Sequence, residues 1–426
     1  MIDFFLKYAF EFAFLYPLLM AYIWMTGALI YYNRYERGRA NYDQPPELPE
    51  YPFVSILVPC YNESGNAEAT LGALADLHYP NYEIVAINDG SADNTAEILN
   101  DLATRIKRLR VVHLATNQGK ALALKSGALA AKGEFLVCID GDALLDHYAV
   151  TWIMDHFVHN PRVGAVTGNP RIRTRTTLLG RIQVGEFSAI IGLLKRAQRV
   201  YGRVFTISGV IGSFRRLALH RVGYWSEDTM TEDIDISWRL QLNHWDVRFE
   251  PRALCWILMP ETLRGLFKQR VRWAVGGGEA MKKYFRQMLQ WKSRRMWGIY
   301  IEYITSVAWA YTMLMLVGVW FLSLFFDLSL DMPGISWSPE WPGVILGCTC
   351  LLQFGVSMFI DRRYDYNTFV SYLSTVWYPL FYWSLNWIVS IVAFPKAMFF
   401  RGKGKRGRWV TTDRGINDGQ GPGGET

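Results

Sequence analysis

Residues 134–142 read EFLVCIDGD, a run in which five apolar side chains are followed at once by two carboxylates. The segment Phe135–Ile139 is short and apolar, as expected of a strand buried on both faces of a parallel sheet. Asp140 and Asp142 follow that strand on either side of Gly141, which permits a tight turn. The stretch therefore predicts an α/β fold with acidic chemistry at one edge of its sheet.

The same alternation of short β-rich runs and helix-like segments extends along the central part of the chain. We expect further strands at Val54–Pro59, Glu83–Asn88 and Leu109–Leu114, and helices near Asn66–Leu77, Thr95–Ile106 and Lys120–Ala131. Such alternation is typical of α/β layer folds with a largely parallel sheet. Ligands of these sheets bind outside the carboxyl ends of the strands, where this chain has polar and acidic segments.

Charged and apolar residues are segregated along the 426 residues, of which 51% are apolar. We predict an N-terminal transmembrane helix with a basic flank (1–41), a linker (42–52), a central α/β domain (53–260), amphipathic interfacial helices (261–298), C-terminal transmembrane segments (299–400), and a basic, then Gly-rich tail (401–426). The net charge of +7 comes largely from basic residues beside apolar runs. Their placement favours anionic lipid headgroups over nucleic acid as the partner.

Four uncharged stretches have the length or composition of membrane spans. They are Phe12–Asn33, Tyr303–Phe326, Gly343–Ile360 and Leu373–Pro395. Three arginines closely follow the first stretch and one lysine precedes it, so the positive-inside rule places the central domain in the cytoplasm. The second and third read as a hairpin with an acidic outer loop. A spanning fourth stretch would put the basic tail outside, and Pro379 permits a broken or re-entrant helix, so the number of C-terminal spans stays open.

Two acidic segments follow predicted strands. Hard cations that bridge phosphates are held by carboxylates, which makes Asp140 and Asp142 candidates for such a site; an ordinary acidic turn is the alternative. Asp89 ends the second predicted strand within NDGSADNT and faces the same sheet edge, as a nucleotide contact would. The polar residues at 91–94 are expected to shape the turn and cap the next helix.

Two further motifs lie on predicted helices. TEDIDISWRL, at Thr231–Leu240, places Glu232, Asp233 and Asp235 at a helix start, where acidic residues also stabilise the helix dipole for ordinary reasons. Such a cluster can equally supply a general base for a sugar hydroxyl. QRVRW, at Gln269–Trp273, reads by itself as part of an interfacial amphipathic helix.

Taken in order, NDGS, DGD, TED and QRVRW resemble the signature of processive family 2 glycosyltransferases, the group that includes cellulose, chitin and hyaluronan synthases. The resemblance covers Val54–Gly278 and implies a GT-A nucleotide-sugar-binding fold flanked by transmembrane and interfacial helices. Longer stretches look closer still to the bacterial synthases of poly-β-1,6-N-acetylglucosamine: VTGNPRIRTR (Val166–Arg175), TEDIDISWRLQLN (Thr231–Asn243), EPRALCWILMPETL (Glu250–Leu263) and RWVTTDRG (Arg408–Gly415).

This resemblance implies a reaction and a setting. N-acetylglucosamine would pass from UDP-N-acetylglucosamine to the 6-hydroxyl of the growing polysaccharide, with inversion at the anomeric carbon, at the bacterial inner membrane. The product would be a biofilm exopolysaccharide, exported across that membrane. A small membrane partner of the PgaD type, regulated by cyclic di-GMP, is also implied, although the sequence contains no obvious binding motif for that nucleotide.

The resemblance also assigns the acidic residues. Asp89 would contact the uridine, and Asp140 and Asp142 would bind UDP together with Mg2+ (or Mn2+), with Asp142 as the metal ligand. Asp233 would be the catalytic base.

The same resemblance assigns roles to the remaining site residues. Gln269, Arg272 and Trp273 would hold the diphosphate and the acceptor end, and Ser208 and Gly209 would line the acceptor pocket. Three alternatives stay open: a synthase of another polymer such as hyaluronan or chitin, a single-sugar transferase to a lipid carrier, and a membrane component that has lost catalysis.

Overall fold

The computed structural model describes residues 2–326, 341–365 and 378–400. Its strands are β1 Val54–Cys60, β2 Tyr82–Asp89, β3 Leu109–Leu114, β4 Phe135–Ile139, β5 Leu144–Leu145, β6 Val163–Ile172, β7 Ile211–Arg215 and β8 Asp246–Ile257. Its helices are α1 Ile2–Tyr31, α2 Ala67–Ala75, α3 Thr95–Arg105, α4 Lys120–Ala130, α5 Ala149–Val158, α6 Leu178–Glu186, α7 Leu194–Tyr201, α8 Arg216–Val222, α9 Glu232–Leu242, α10 Leu263–Met288, α11 Trp297–Ser323, α12 Trp341–Asp361 and α13 Tyr378–Pro395. The four predicted strands and the three predicted helices of the first half are confirmed.

All eight strands form one mixed sheet, in the order β3-β2-β1-β4-β7-β6-β8-β5. The first four in that order are parallel, whereas β7 runs antiparallel to both β4 and β6. Parallel strands end at a common edge, so Asp89 after β2 and Asp140 after β4 leave the sheet on the same side. The prediction that these two carboxylates face one edge is confirmed.

The sheet is covered on both faces, as its continuous apolar strands require. In β1, Ile56 and Val58 pack with α2, α3 and α5 on one face. Leu57 points to the other face and packs with α4, α8 and α9. This alternation follows from the two-residue period of a strand. The resulting three layers hold the strand ends, and the residues that follow them, in fixed positions.

Long apolar helices accompany this layered unit. Three of those described are long and apolar enough to cross a membrane: Phe4–Glu36, Trp291–Ser323 and Trp341–Asp361. Helix α1 begins earlier than the predicted span at Phe12, because Lys7 and Glu11 are accommodated within the helix. Of the fourth predicted stretch, 378–395 is helical.

Several sequence predictions lie outside the described residues. These are the acidic loop of the hairpin at 327–340, the start of the fourth stretch at 373–377, and the tail at 401–426 with its RWVTTDRG segment.

Candidate active site

Asp89 fixes a loop at the sheet edge. Its two carboxylate oxygens accept hydrogen bonds from the backbone N–H groups of Gln118 and Gly119, each at 2.8 Å. Burial raises the pKa of Asp89, and the two N–H donors partly offset that rise. The loop held in this way leads directly into α4, whose first residue is Lys120.

The turn after β2 is shaped much as the sequence suggests, with one correction. The carboxylate of Asp93 accepts the N–H of Thr95 at 3.1 Å and so caps α3. Asn94 occupies the N-cap position but makes no side-chain capping bond. The expectation that both Asp93 and Asn94 cap the helix is therefore wrong for Asn94.

Lys120 is the central cation of the candidate site. Its ammonium group forms an ion pair with Asp140, lies 3.4 Å from Glu232 Oε1, and donates to the carbonyl oxygen of Gly209 at 3.2 Å. Burial opposes the charge on Lys120, but Asp140 and Glu232 outweigh it and raise the pKa of the lysine. Lys120 thus joins the strand edge of β4 to the start of α9.

The Asp140–Gly141–Asp142 turn is packed against α2. Thr70 Oγ1 donates to the carbonyl oxygen of Gly141 at 2.9 Å, which holds the two aspartates on either side. No cluster of three or more His, Cys, Asp or Glu suited to a metal ion occurs among the described residues. A pair of carboxylates nevertheless fits Mg2+, which commonly takes one or two carboxylates and obtains its other ligands from substrate phosphates and water.

Asp233 lies in the first turn of α9 and is fixed at both oxygens. Oδ1 accepts the N–H of Ile234 at 2.8 Å, and Oδ2 accepts the N–H of Gly209 at 3.1 Å. A Cβ atom at position 209 would lie 3.0 Å from Oδ2, so glycine allows this close approach. Burial, reinforced by the negative charge of Glu232, raises the pKa of Asp233 to about 6, despite the opposing charge of Lys120.

Helix α9 packs directly on α10 at Thr231, the residue before Glu232. A Cβ atom at Gly276 would lie 1.9 Å from Thr231 Oγ1, so only glycine permits this contact. Because Gly276 is three residues beyond Trp273 on the same helix, the docking brings TED and QRVRW together.

QRVRW lies within α10, as predicted, and its residues differ in their surroundings. Gln269 is 8% exposed and accepts a hydrogen bond from Arg270 at 2.9 Å. Trp273 is partly buried and packs against the main core. Arg272 Nε is buried and has no hydrogen-bond partner within the described part of the chain. The positive charge of Arg272 also acts on Asp233. An arginine in this state is suited to an anionic ligand.

A buried lysine lies beneath Ser208. Lys195 Nζ donates to Ser208 Oγ at 2.5 Å and to Thr167 Oγ1 at 3.1 Å. Burial lowers the pKa of Lys195 to about 7, and the charge of Asp233 opposes that change. The hydroxyl of Ser208 is therefore held in place, and Gly209, its neighbour, contacts Asp233.

The structure thus brings Asp140, Glu232 and Asp233 together around Lys120, with Gly209 between them. Sequence reasoning missed Lys120, Lys195 and Arg270. For Lys120 a signal existed, because NQGK at 117–120 follows β3 at the same edge as the other candidates. For Arg270 the helix pattern indicated only an amphipathic face, and Lys195 lies outside the segments for which a helix was predicted.

Comparisons with known proteins agree with this geometry. The sequence model described as "Glycosyltransferase like family 2" matches residues 49–276. A solved structure of a mannosyltransferase from Pyrobaculum calidifontis, in complex with GDP-Man and Mn2+, superposes with a TM-score of 0.62 at 20% identity. It covers 92% of this chain and 99% of that chain, so the folds correspond over almost their full lengths.

Close relatives extend the similarity beyond the matched domain. The poly-beta-1,6-N-acetyl-D-glucosamine synthase of Staphylococcus epidermidis is 40% identical over 412 residues, which cover 96% of this chain and 99% of the relative. The synthase of the same name from Staphylococcus aureus strain MSSA476 is 39% identical over 407 residues, covering 95% and 98%.

Proposed function

Given that the chain belongs to the family 2 glycosyltransferases, we propose that it polymerises N-acetylglucosamine from UDP-N-acetylglucosamine into poly-β-1,6-N-acetylglucosamine. The similarity to synthases of that name over nearly the whole chain supports this polymer. Synthesis of a biofilm exopolysaccharide is consistent with it.

The proposed reaction is a single inverting displacement. The 6-hydroxyl oxygen of the chain's terminal sugar attacks the anomeric carbon of the donor, and Asp233 accepts the hydroxyl proton. The bond between that carbon and the UDP oxygen breaks, and UDP leaves with the electron pair. A base must lie near its target and have a pKa suited to the working pH. The pKa of Asp233, raised by burial to about 6, leaves it ionised at neutral pH yet more basic than an ordinary aspartate.

The observation that carries the proposal is the hydrogen bond from the Gly209 N–H to Asp233 Oδ2, at 3.1 Å. It joins the segment assigned to the acceptor, Ser208 and Gly209, to the residue assigned as base. An acceptor hydroxyl bound along this segment would lie beside the carboxylate. Trp273 would offer an aromatic face to the sugar ring.

The leaving group would be held by a second set of residues. Arg272, whose Nε has no partner among the described residues, would pair with the diphosphate. Asp140 and Asp142 would hold Mg2+ or Mn2+, with Asp142 as a direct ligand, and Gln269 would contact the diphosphate. A divalent cation there would offset the charge that develops on UDP. Asp89 would act on the uridine end, through the loop it holds or through direct contact.

The setting we propose is the bacterial inner membrane, with residues 53–260 on the cytoplasmic side, where UDP-sugars are made. The chain is a membrane protein with three candidate spans among its described residues, and Arg37 and Arg39, which directly follow the first span, agree with this orientation. A small membrane partner of the PgaD type and control by cyclic di-GMP belong to the same proposal.

The test uses membranes that contain the full chain, with and without such a partner, supplied with UDP-N-acetylglucosamine and Mg2+. We expect polymer that a β-1,6-N-acetylglucosaminidase degrades, and its loss in Asp233→Asn. Asp228→Asn is the matched control, because Asp228 lies on the preceding loop and its side chain is 55% exposed. Resistant polymer, alternating uronic acid, or a lipid-linked monosaccharide would assign the chain to one of the other transferases.

A further inference from the structure

Arg270, the second residue of QRVRW, is buried beside the candidate site and ion-paired across two helices. Its Nε and Nη2 lie 2.9 and 2.8 Å from Oε1 of Glu186, the last residue of α6. The two side chains are 5% and 3% exposed. Since α6 belongs to a different part of the chain, this pair fixes α10 against a second element.

The same guanidinium contacts two of the residues assigned to substrate. Its Nη1 donates to Gln269 Oε1 at 2.9 Å, and its central carbon lies 4.3 Å from the ring centre of Trp273. A planar guanidinium can stack on an indole while its edge donates hydrogen bonds, whereas a lysine ammonium provides no such plane. Arg270 is therefore matched in shape to both contacts at once.

Stability alone does not account for such a pair. Desolvation of two charges costs about as much as their attraction returns, and apolar residues of similar volume often replace a buried pair without loss of stability. What an apolar replacement cannot reproduce is the bond to Gln269 and the flat surface beneath Trp273.

We propose that Arg270, held by Glu186, is a positioning residue that fixes the Trp273 indole for the acceptor sugar. The proposal rests on the function proposed above, in which Trp273 contacts the acceptor end. A sugar ring stacked on Trp273 would be aimed at the anomeric carbon only while the indole keeps its tilt. Without the stacked geometry the acceptor would bind more weakly, and a misplacement of about 1 Å can itself cost on the order of 100-fold.

A second group that also consists of a glutamate, an arginine and a tryptophan provides the matched control. Glu250 and Arg252 form an ion pair at 2.6 Å, and the Arg252 guanidinium lies 3.8 Å from the ring centre of Trp152. This group joins β8 to α5, away from the strand ends and the QRVRW helix. It shares the chemistry of the Glu186 group but none of its contacts to assigned site residues.

The experiment compares Arg270→Lys, the double variant Glu186→Leu with Arg270→Met, and Arg252→Lys, each as the full chain in membranes. Two rates are measured: transfer to an added N-acetylglucosamine oligomer, and hydrolysis of UDP-N-acetylglucosamine by water. For both Arg270 variants we expect kcat/KM for the oligomer to fall roughly 10- to 100-fold, mainly through KM. Hydrolysis, which needs no stacked acceptor, should change by less than about threefold.

The double variant removes both buried charges, so folding should survive in it even if Arg270→Lys is unstable. Equal losses in transfer and hydrolysis, an unchanged oligomer KM, or the same selective loss in Arg252→Lys would each overturn the proposal. A cryo-EM map of the double variant gives a second readout, in which the Trp273 ring should be displaced; an unmoved ring also overturns it.

Failure of the proposed function would appear differently, as an unaltered protein that releases no UDP from UDP-N-acetylglucosamine. The variants would then be compared on the sugar nucleotide that the protein does use, and the position of the Trp273 ring would decide the inference.

Discussion

Two clusters of buried charges in this molecule differ in how their positive and negative side chains are paired. The junction cluster consists of Glu36, Arg171, Arg196 and Asp361, which join the segment after α1 and the end of α12 to β6 and α7. Each of these side chains is at most 2% exposed, and two cations face two anions. The site cluster consists of Lys120, Asp140, Glu232 and Asp233, in which Lys120 is ion-paired with Asp140 and Glu232, and the charge of Arg272 also acts on Asp233.

The difference teaches what each group does. In the junction cluster Arg196 contacts Glu36 at 2.6 Å and Asp361 at 2.9 Å, and Arg171 contacts Asp361 at 2.9 Å. Every charge there has a partner, as a structural clamp requires. The site cluster places three carboxylates at a sheet edge, where burial, together with the negative charge of Glu232, raises the pKa of Asp233. Buried carboxylates with a raised pKa are common at sites that act on a ligand.

The largest expected effect separates catalysis from folding. Asp233→Asn should lower UDP release and polymer formation by roughly 10²- to 10⁴-fold, because the base is lost. The thermal midpoint of the detergent-solubilised protein should not fall, because the change relieves repulsion with Glu232. A large fall in the midpoint would show instead that Asp233 is a structural residue like those of the junction.

A substitution in the junction cluster tests whether that cluster stabilises the fold. Arg196→Gln leaves Glu36 without its cation and should lower the free energy of unfolding by about 3–5 kcal/mol. Transfer per folded molecule should remain close to that of the unaltered protein. The double variant Glu36→Gln with Arg196→Gln restores part of the charge balance and should be the more stable of the two. Chemical denaturation in detergent, followed by tryptophan fluorescence, measures the ranking.

The pH dependence sharpens the contrast further. Burial and Glu232 raise the pKa of Asp233 to about 6 from 3.8, so transfer should fall towards tenfold per unit as the pH drops below about 6. The raised pKa has the opposite effect on folding, since this group's stabilisation is complete below the unfolded pKa and is lost as pH rises through 6. Initial rates between pH 5 and 8, beside thermal midpoints, check both signs. If the residual activity of Asp233→Asn declines below pH 6 in the same way, the decline is caused by a titrating group other than Asp233.

The smallest expected effect concerns the space around the base. Gly209→Ala would place a Cβ atom 3.0 Å from Asp233 Oδ2, so the carboxylate must shift by a few tenths of an ångström. We expect transfer to fall by about 3- to 10-fold with little change in stability. Gly65→Ala is the control, because nothing lies within 4 Å of a Cβ there. Equal activity of the two variants would mean that the Gly209 contact does not position the base.

The local sequence accounts for much of the site's scaffold. The buried run before Asp140 and the apolar runs of β1 and β2 could form only central strands of a layered sheet. Once the strands were predicted to be parallel, it followed that Asp89 and Asp140 lie at the same edge of the sheet. The helical setting of Asp233 and of Trp273 followed in the same way from periodicity.

By itself, then, the sequence determined the layered fold, its acidic edge, the apolar helices around it and the helices that carry TED and QRVRW. Only the tertiary structure decided which charges meet. Lys120 pairs with Glu232, Glu186 with Arg270, and Glu36 with Arg196. The last two residues are 160 positions apart in the chain. The physical reason is that strand and helix signals arise between near neighbours in the chain. The partner of a buried charge depends instead on how distant elements pack, and a periodic pattern does not encode that choice.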